Sequence, residues 1–168
     1  MSNGLLKGKK GIIFGALNDM SIAWKVAERA YEEGAEFTLT NAPIAMRMGE
    51  INQLAEKCGN ALVIPADATS VEDLTNLFEK SVEALGGKID FVLHSIGMSP
   101  NVRKNKHYTD LNYDWYHKTM DVSAMSLHKT LSTAMKMDAI NDWGSVVALT
   151  YIAAQRVFPD YNDMADAK

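Results

Sequence analysis

The sequence predicts a single-domain α/β fold over residues 1–168, a Rossmann-like doubly wound parallel sheet. Two observations predict it. Five short apolar segments alternate with helical segments along the chain. These apolar segments are continuous rather than alternating with polar residues, which is typical of strands covered by helices on both faces. The order β-α-β-α-β-α-β-α-β-α follows.

The first half of the chain predicts two strands and two helices. Gly11–Gly15 is an apolar run that ends in glycine, typical of a buried strand entering a turn. Apolar residues at helical spacing predict a helix over Ser21–Glu33, which Gly34 ends. Glu36–Thr40 is rich in β-branched and aromatic residues and predicts the second strand. A helix is expected over Pro43–Lys57.

The second half continues the alternation. Ala61–Pro65 predicts a third strand, and a capping-box pattern opens a helix over Ser70–Leu85. Ile89–His94 predicts the fourth strand. A long helical region is expected over Tyr113–Ala139, and Trp143–Leu149 predicts the fifth strand.

Composition and charge exclude several classes of function. The net charge of −4 leaves no basic footprint for nucleic acid. No apolar run approaches the roughly 18 residues of a membrane span, so no membrane partner is expected. The single cysteine, Cys58, cannot form an intramolecular disulfide, which favours a reducing, cytoplasmic location.

A tyrosine and a lysine near the end of the chain are candidate catalytic residues. Tyr161 and Lys168 are seven residues apart, just beyond Pro159. In a helix that begins near Asp160, they would be rotated by only about 20° and share a face. A nearby ammonium lowers the pKa of a phenol, which makes Tyr161 a candidate proton donor. Tyr151 supplies a second phenol where the last strand ends.

The candidate ligand site lies at the carboxyl ends of the strands, where open parallel sheets bind ligands. Small or polar residues follow four of the five strands there, namely Gly15, Asp67, Ser95–Gly97 and Thr150–Tyr151. In the first loop, the N–H groups of the helix and the Ser21 hydroxyl can hold a pyrophosphate. The loop lacks the pattern G-x-G-x-x-G, so a plain strand-to-helix turn stays open as the alternative.

The recognition of an adenosine group is less defined. Asp67 can accept a hydrogen bond from an adenine amino group, or it can be an ordinary turn aspartate. No acidic residue ends the second strand, where Thr40-Asn41-Ala42 stands, so the usual carboxylate for the ribose 2′-hydroxyl is absent. Arg47 is either a contact for a 2′-phosphate or a solvated helix residue. The choice between NAD and NADP stays open.

Three motifs resemble those of the enoyl-[acyl-carrier-protein] reductases, a divergent branch of the short-chain dehydrogenase/reductase superfamily. They are Ser21-Ile22-Ala23 after a glycine turn, His94–Gly97 after the fourth strand, and Y-x6-K at Tyr161 and Lys168. Other branches carry T-G-x-x-x-G-x-G, N-N-A-G and Y-x3-K, which this sequence lacks. The motifs stand in the family's order and extend along the whole chain.

The resemblance implies reduction of the trans-2 double bond of an enoyl thioester on acyl carrier protein, in fatty acid biosynthesis. It implies NADH as the hydride donor, with NADPH possible, and a homotetramer. Tyr161 matches the tyrosine that hydrogen-bonds the thioester carbonyl and stabilises the enolate. Lys168 matches the lysine that binds the nicotinamide ribose, and Tyr151 matches the family's second tyrosine.

The resemblance also assigns contacts. Ser99 falls at a substrate contact, and Ala42 falls where some relatives carry glutamine. The cofactor contacts that it implies are Gly15, Ser21, Ile22, Ala42, Asp67, Ala68, Ser95, Ile96, Gly97 and Lys168.

The resemblance also implies that this chain is shorter than the members of the family. Family members continue beyond the position of Lys168, so we expect the C-terminal part of the family fold to be absent from this chain. A ketone or ketoacyl reductase of the same superfamily and a non-catalytic cofactor-binding fragment are the alternatives. No metal site is expected, because His117 and Asp121, at i and i+4, are expected at the surface, and His94, His107 and His128 show no ligand spacing. No G-x-S-x-G motif supports a hydrolase.

Overall fold

The computed structural model describes residues 3–168 and contains a parallel sheet with helices on both faces. Neighbouring strands pair in parallel in the order β2-β1-β3-β4. The predicted doubly wound α/β sheet is confirmed. In chain order the strands are β1 (Lys10–Phe14), β2 (Glu36–Thr40), β3 (Ile89–His94) and β4 (Ile140–Ala148).

The helices cover the sheet in two layers, because side chains along β1 alternate between its faces. Ile13 packs into one core, with residues of α1 and α2. Ile12 and Phe14 pack into the other core, with residues of α3 and α6. The α-helices are α1 (Ile22–Glu32), α2 (Glu50–Lys57), α3 (Val71–Leu85), α4 (Pro100–Arg103), α5 (Tyr113–Met120), α6 (Ser126–Lys136) and α7 (Asn162–Ala167).

The predicted third strand, Ala61–Pro65, is reduced to a single bridge beside β2. Val63 pairs with Leu39, through the Leu39 N–H to the Leu62 carbonyl and the Ile64 N–H to the Leu39 carbonyl, both at 2.9 Å. Only this one position exchanges both hydrogen bonds, so the segment lies at the sheet edge without forming a ladder. The prediction gave the right place in the sheet but too much regular structure.

Two predicted helices are interrupted. The helix expected over Pro43–Lys57 is a 3₁₀ turn, Ala45–Met48, followed by α2, because Gly49 has φ +72 and breaks the helix. The helix expected over Tyr113–Ala139 is α5 and α6 joined by one π-helical turn, Asp121–Met125.

The last strand begins earlier than predicted and carries a bulge. Ile89 pairs with Ile140, whereas Phe91 pairs with Ser145. The extra residues of β4 loop out, and Trp143 among them has φ +63 and a fully exposed side chain. The apolar pattern of Trp143–Leu149 missed the bulge because a strand's side-chain period does not reveal which residues pair.

His94, the last residue of β3, is a buried neutral histidine. Its side chain is 1% exposed, and its Nε2 lies 2.9 Å from the Ser126 hydroxyl on α6. Burial, and then the charge of Lys168, lower the pKa of His94 to about 4. The ring is therefore uncharged at neutral pH.

We expect His94 to make the stability of the fold sensitive to acid. The folded-state pKa lies below the ordinary value of 6.5, so the unfolded chain binds more protons between these values and stability is lost as the pH falls through that window. Between pH 7 and pH 5, His94 should lower the free energy of unfolding by about 2 kcal/mol. Urea unfolding at both pH values should show it, and His94→Gln should lose less.

The control for this experiment is His117→Gln, which removes an exposed histidine. It should keep the wild-type difference between the two pH values. A His94→Gln protein with the full wild-type loss would contradict the assignment.

Candidate cofactor and active site at the carboxyl edge of the sheet

The main pocket opens where the chain direction in the sheet switches. From β1 the chain passes to β2 on one side, and β3 pairs with the other side of β1. Such a switch point leaves a crevice at the carboxyl ends of the strands. A pocket of about 430 Å³ lies there, lined by Gly15, Leu17, Asn18, Met20, Ser21, Ile22, Ser95, Ile96, Gly97, Leu149, Thr150, Tyr151 and Lys168.

A second, smaller pocket of about 50 Å³ adjoins the first. Ile96 lines both pockets. Each of the ten predicted cofactor residues lines one pocket or the other, although they come from separate loops. The lining residues of the smaller pocket are Phe14, Asn41, Ala42, Ala66, Asp67, Ala68, Thr69, Ile96 and Val122.

Gly15 lets the ends of β1 and β3 approach each other at the pocket. Its φ of +89 is a conformation that favours glycine, and a Cβ at this position would lie 2.0 Å from the Ser95 carbonyl oxygen. The Gly15 N–H donates to the Thr40 carbonyl of β2 at 3.0 Å. The glycine therefore shapes the crevice through its backbone.

Ser21 holds the loop between β1 and α1. Its hydroxyl accepts hydrogen bonds from the N–H groups of Leu17 at 3.0 Å and Asn18 at 2.9 Å, and donates to the Asn18 carbonyl. The hydroxyl proton is therefore engaged, which differs from the expectation that it grips a pyrophosphate. The N–H groups of Trp24 and Lys25 donate to the Ser21 carbonyl, so the donors that remain for an anion are those of Ile22 and Ala23 at the start of α1.

Asp67 is a turn residue in the smaller pocket. Its Oδ1 accepts from the N–H of Thr69 at 2.9 Å and from the Thr69 hydroxyl at 2.8 Å. Its own N–H donates to Asp73 at 2.8 Å. Asp67 is therefore a turn aspartate, one of the two alternatives that the sequence left open, and it also borders the smaller pocket.

Lys168 is fixed in the wall of the larger pocket. Its Nζ donates to the Ile96 carbonyl at 2.7 Å and to the Leu149 carbonyl at 3.1 Å. An ammonium has three N–H donors, and the third has no partner among residues 3–168. Burial lowers the pKa of Lys168.

The two predicted catalytic phenols are in contact. The rings of Tyr151 and Tyr161 meet edge to face, with centroids 5.4 Å apart. Tyr151 is 41% exposed and lines the larger pocket, and Tyr161 lies against its ring. Tyr151 thus lies between the Tyr161 ring and the Lys168 ammonium, and the catalytic role of the three residues stays a prediction.

The predicted electrostatic effect of Lys168 on Tyr161 is wrong. Burial, and then the neighbouring Tyr151 phenol, raise the pKa of Tyr161 rather than lower it. The helix α7 begins only at Asn162, which has φ +41, so the regular helical geometry does not extend to Tyr161. The Lys168 ammonium instead lies between two carbonyl oxygens, 5.9 Å from the Tyr151 ring.

Ser99, the predicted substrate contact, is 3% exposed and lies outside the lining of both pockets. Its hydroxyl donates to Asp163 at 2.6 Å. Asp163 itself was missed by the sequence reasoning, because an acidic residue on a short helix is usually exposed. The sequence carries no local signal of this burial, which in the structure includes the neighbours Asn162 and Met164.

Within the described residues, no three His, Cys, Asp or Glu side chains are grouped closely enough to hold a metal ion. In the same part of the chain, no helix has both the length and the apolarity needed to cross a bilayer.

The fold and the two pockets define a Rossmann-like protein with a ligand crevice at its switch point. The family profile described as "Enoyl-(Acyl carrier protein) reductase" matches residues 15–168. The chain belongs to that family, and the resemblance seen in the sequence is confirmed.

Known relatives are similar to this protein over nearly the whole length of the chain. The NADH enoyl-[acyl-carrier-protein] reductase FabI of Rickettsia bellii is 37% identical, over 100% of this chain and 63% of the relative. A crystal structure of a FabI–NADH complex from Alistipes finegoldii is 68% identical, with a TM-score of 0.95 over 98% of this chain and 58% of that one. A Bacillus cereus enoyl reductase with NADP⁺ is 30% identical, with a TM-score of 0.88 over 100% of this chain and 64% of that one. The chain thus spans less than two thirds of each of these proteins.

We expect Gly15→Ala to destabilise the fold for two reasons. The new Cβ would collide with the Ser95 backbone, and the alanine would have to adopt a positive φ that is unfavourable for it. The loss should be at least about 2 kcal/mol in the free energy of unfolding, measured by urea denaturation. Gly97→Ala is the matched control, since its Cβ would meet Lys168 at an ordinary 3.4 Å. Equal losses in the two variants would contradict the close-approach role of Gly15.

We expect Tyr161 to ionise at a higher pH than an ordinary tyrosine, because its neutral form is favoured by burial. An ultraviolet difference titration of the wild type minus Tyr161→Phe isolates this phenol. Its transition should fall above pH 10, the ordinary value. A transition below that value would show that the ammonium of Lys168 dominates after all.

Proposed function

We propose that the protein carrying this chain reduces the trans-2 double bond of enoyl-acyl-carrier-protein thioesters in fatty acid biosynthesis, with hydride from NADH. The observation that carries the proposal is the position of Tyr151, which lies against the Tyr161 ring and 5.9 Å from the Lys168 ammonium beside a pocket lined by predicted cofactor contacts. Family membership supports the same reaction class.

The proposed cofactor position uses both pockets. The larger pocket would take the nicotinamide riboside, because Lys168 offers its third N–H there. The smaller pocket would take the adenine, beside Asp67 and Ala68. The pyrophosphate would lie near Gly15 and the first N–H groups of α1, where a helix favours negative charge. When bound, NADH supplies the hydride for the β-carbon.

The phenols would act on the substrate carbonyl. Hydride addition at the β-carbon leaves negative charge on the thioester oxygen, and a donor already in place stabilises that charge. A raised pKa keeps the Tyr161 hydroxyl protonated at neutral pH, so it can donate the required hydrogen bond. Tyr151 contacts Tyr161 and lines the pocket, so it would border the same substrate. A substrate contact at Ser99 would fall to its backbone, since its hydroxyl is bound to Asp163.

The end of β2 bears on the choice of cofactor. Asn41 and Ala42 line the smaller pocket there, and no acidic residue ends β2 to repel a 2′-phosphate, although Asp67 lines the same pocket from another loop. Arg47 is exposed. We propose NADH as the preferred cofactor, with NADPH tolerated. Acyl carrier protein as substrate carrier, the homotetramer and the cytoplasmic location are parts of the same proposal.

The test is oxidation of NADH by the protein given a short enoyl thioester, followed at the absorbance of the reduced nicotinamide. NADPH and a 3-ketoacyl thioester are run in parallel, and NADH binding is measured separately by fluorescence. Turnover of the enoyl thioester is expected. Turnover of only the ketoacyl thioester would assign a ketone reductase, and NADH binding without any turnover would indicate a cofactor-binding unit.

We expect two variants to separate chemistry from cofactor binding. Tyr161→Phe should lower kcat by at least about 100-fold, because one proton-donating group is lost, and should leave the Kd for NADH unchanged. Lys168→Ala should raise that Kd. Tyr113→Phe, which alters an exposed tyrosine, is the control and should match the wild type. Near-normal turnover in Tyr161→Phe, or an unchanged Kd in Lys168→Ala, would reject the assigned role.

A further inference from the structure

Asp163 is a buried carboxylate held by three side chains from other helices. It is 0% exposed. It accepts hydrogen bonds from the Ser99 hydroxyl at 2.6 Å, the Asn101 amide at 2.8 Å and the Thr119 hydroxyl at 2.7 Å. These three donors are themselves 3% exposed or less. Three neutral donors converging on one buried carboxylate form a built site for its negative charge.

Two of the three donors, Asn101 and Ser99, cannot easily turn elsewhere, whereas the Thr119 hydroxyl also lies 2.8 Å from the Trp115 carbonyl. The Asn101 amide is oriented by the backbone of Asn112, whose N–H donates to Asn101 Oδ1 at 3.0 Å and whose carbonyl accepts from Asn101 Nδ2 at 3.2 Å. The Ser99 oxygen accepts from the Val102 N–H at 3.0 Å, so its proton points to Asp163. An acceptor is therefore required at the position of Asp163.

The site connects α7 to the rest of the fold. Asp163 lies two residues after Tyr161 and five before Lys168, whereas Ser99 caps α4 and Thr119 lies in α5. A helix of six residues is not stable by itself in water. Its position must come from such tertiary bonds.

We propose that Asp163 is a positioning residue: its carboxylate fixes α7 so that Lys168 stays at the pocket and Tyr161 stays against Tyr151. This inference rests on the proposed function of those two residues. Asp163 touches neither pocket of the described chain, so it acts through them. The carboxylate pins the middle of the segment, while the carbonyls of Ile96 and Leu149 hold its far end through Lys168.

The experiment compares Asp163→Asn with Asp166→Asn. Asp163→Asn keeps the shape but turns an N–H group toward the Asn101 amide or the Ser99 and Thr119 hydroxyls. Asp166→Asn removes the same charge from an exposed position of the same helix, where the Tyr116 hydroxyl donates to the carboxylate at 3.2 Å. Hydrogen exchange, the Kd for NADH and kcat with an enoyl thioester are measured at a temperature where circular dichroism shows every variant folded.

In Asp163→Asn we expect hydrogen exchange in residues 161–168 to rise at least tenfold and the Kd for NADH to rise at least fivefold. Exchange in β1 and β3 should stay within twofold of the wild type, and Asp166→Asn should match the wild type throughout. A residue that only stabilised the fold would reduce the fraction of binding-competent protein without changing its Kd. Unchanged exchange and Kd in Asp163→Asn would overturn the proposal.

A second variant tests the proposal if Asp163→Asn unfolds as a whole. Thr119→Val removes one of the three donors with little change of shape, and it should raise exchange in residues 161–168 alone. Exchange that rises equally in β1 and β3 in this variant would overturn the positioning role. Hydrogen exchange does not depend on turnover, so the two proposals can fail separately. A wild-type protein that fails to reduce the enoyl thioester would reject the proposed function. A localised rise of exchange in the variants would still support the positioning role of Asp163.

Discussion

The close pairing of β1 and β3 at their carboxyl ends is the constraint on which the site depends. Gly15 lies so near the Ser95 carbonyl that no side chain fits between them. The same pairing brings the loop after β3 against the loop before α1, so both pockets share Ile96. Because parallel strands end at the same edge of a sheet, residues far apart in the chain line one continuous crevice.

The segment that carries Tyr161 and Lys168 is held by hydrogen bonds of polar groups rather than by a long helix. Lys168 is fixed by two backbone carbonyls, and Asp163 by three side chains of α4 and α5. Such bonds are directional, and a buried polar group that loses its partner destabilises the folded state because no water replaces that partner. A short segment can therefore be held as firmly as a long helix, provided that each of these groups keeps its partner.

The burial that positions these residues also sets their protonation. It raises the pKa of Tyr161 and lowers the pKa of Lys168, since removal from water disfavours the charged form of each. It also keeps His94 neutral beneath the site. A protonated phenol beside a pocket is suited to donate a hydrogen bond to an oxygen that becomes negative. The proposed reduction needs such a donor.

By itself the sequence determined the order of strands and helices and the residues at the strand ends, because apolar patterns, caps and glycine turns act locally. It also singled out Tyr151, Tyr161 and Lys168 as candidate catalytic residues. Only the tertiary structure decided that Asp163 is buried and that Lys168 binds carbonyls instead of acidifying Tyr161. Those outcomes depend on partners 19 to 72 residues away along the chain. A local pattern carries no information about the environment that such partners create.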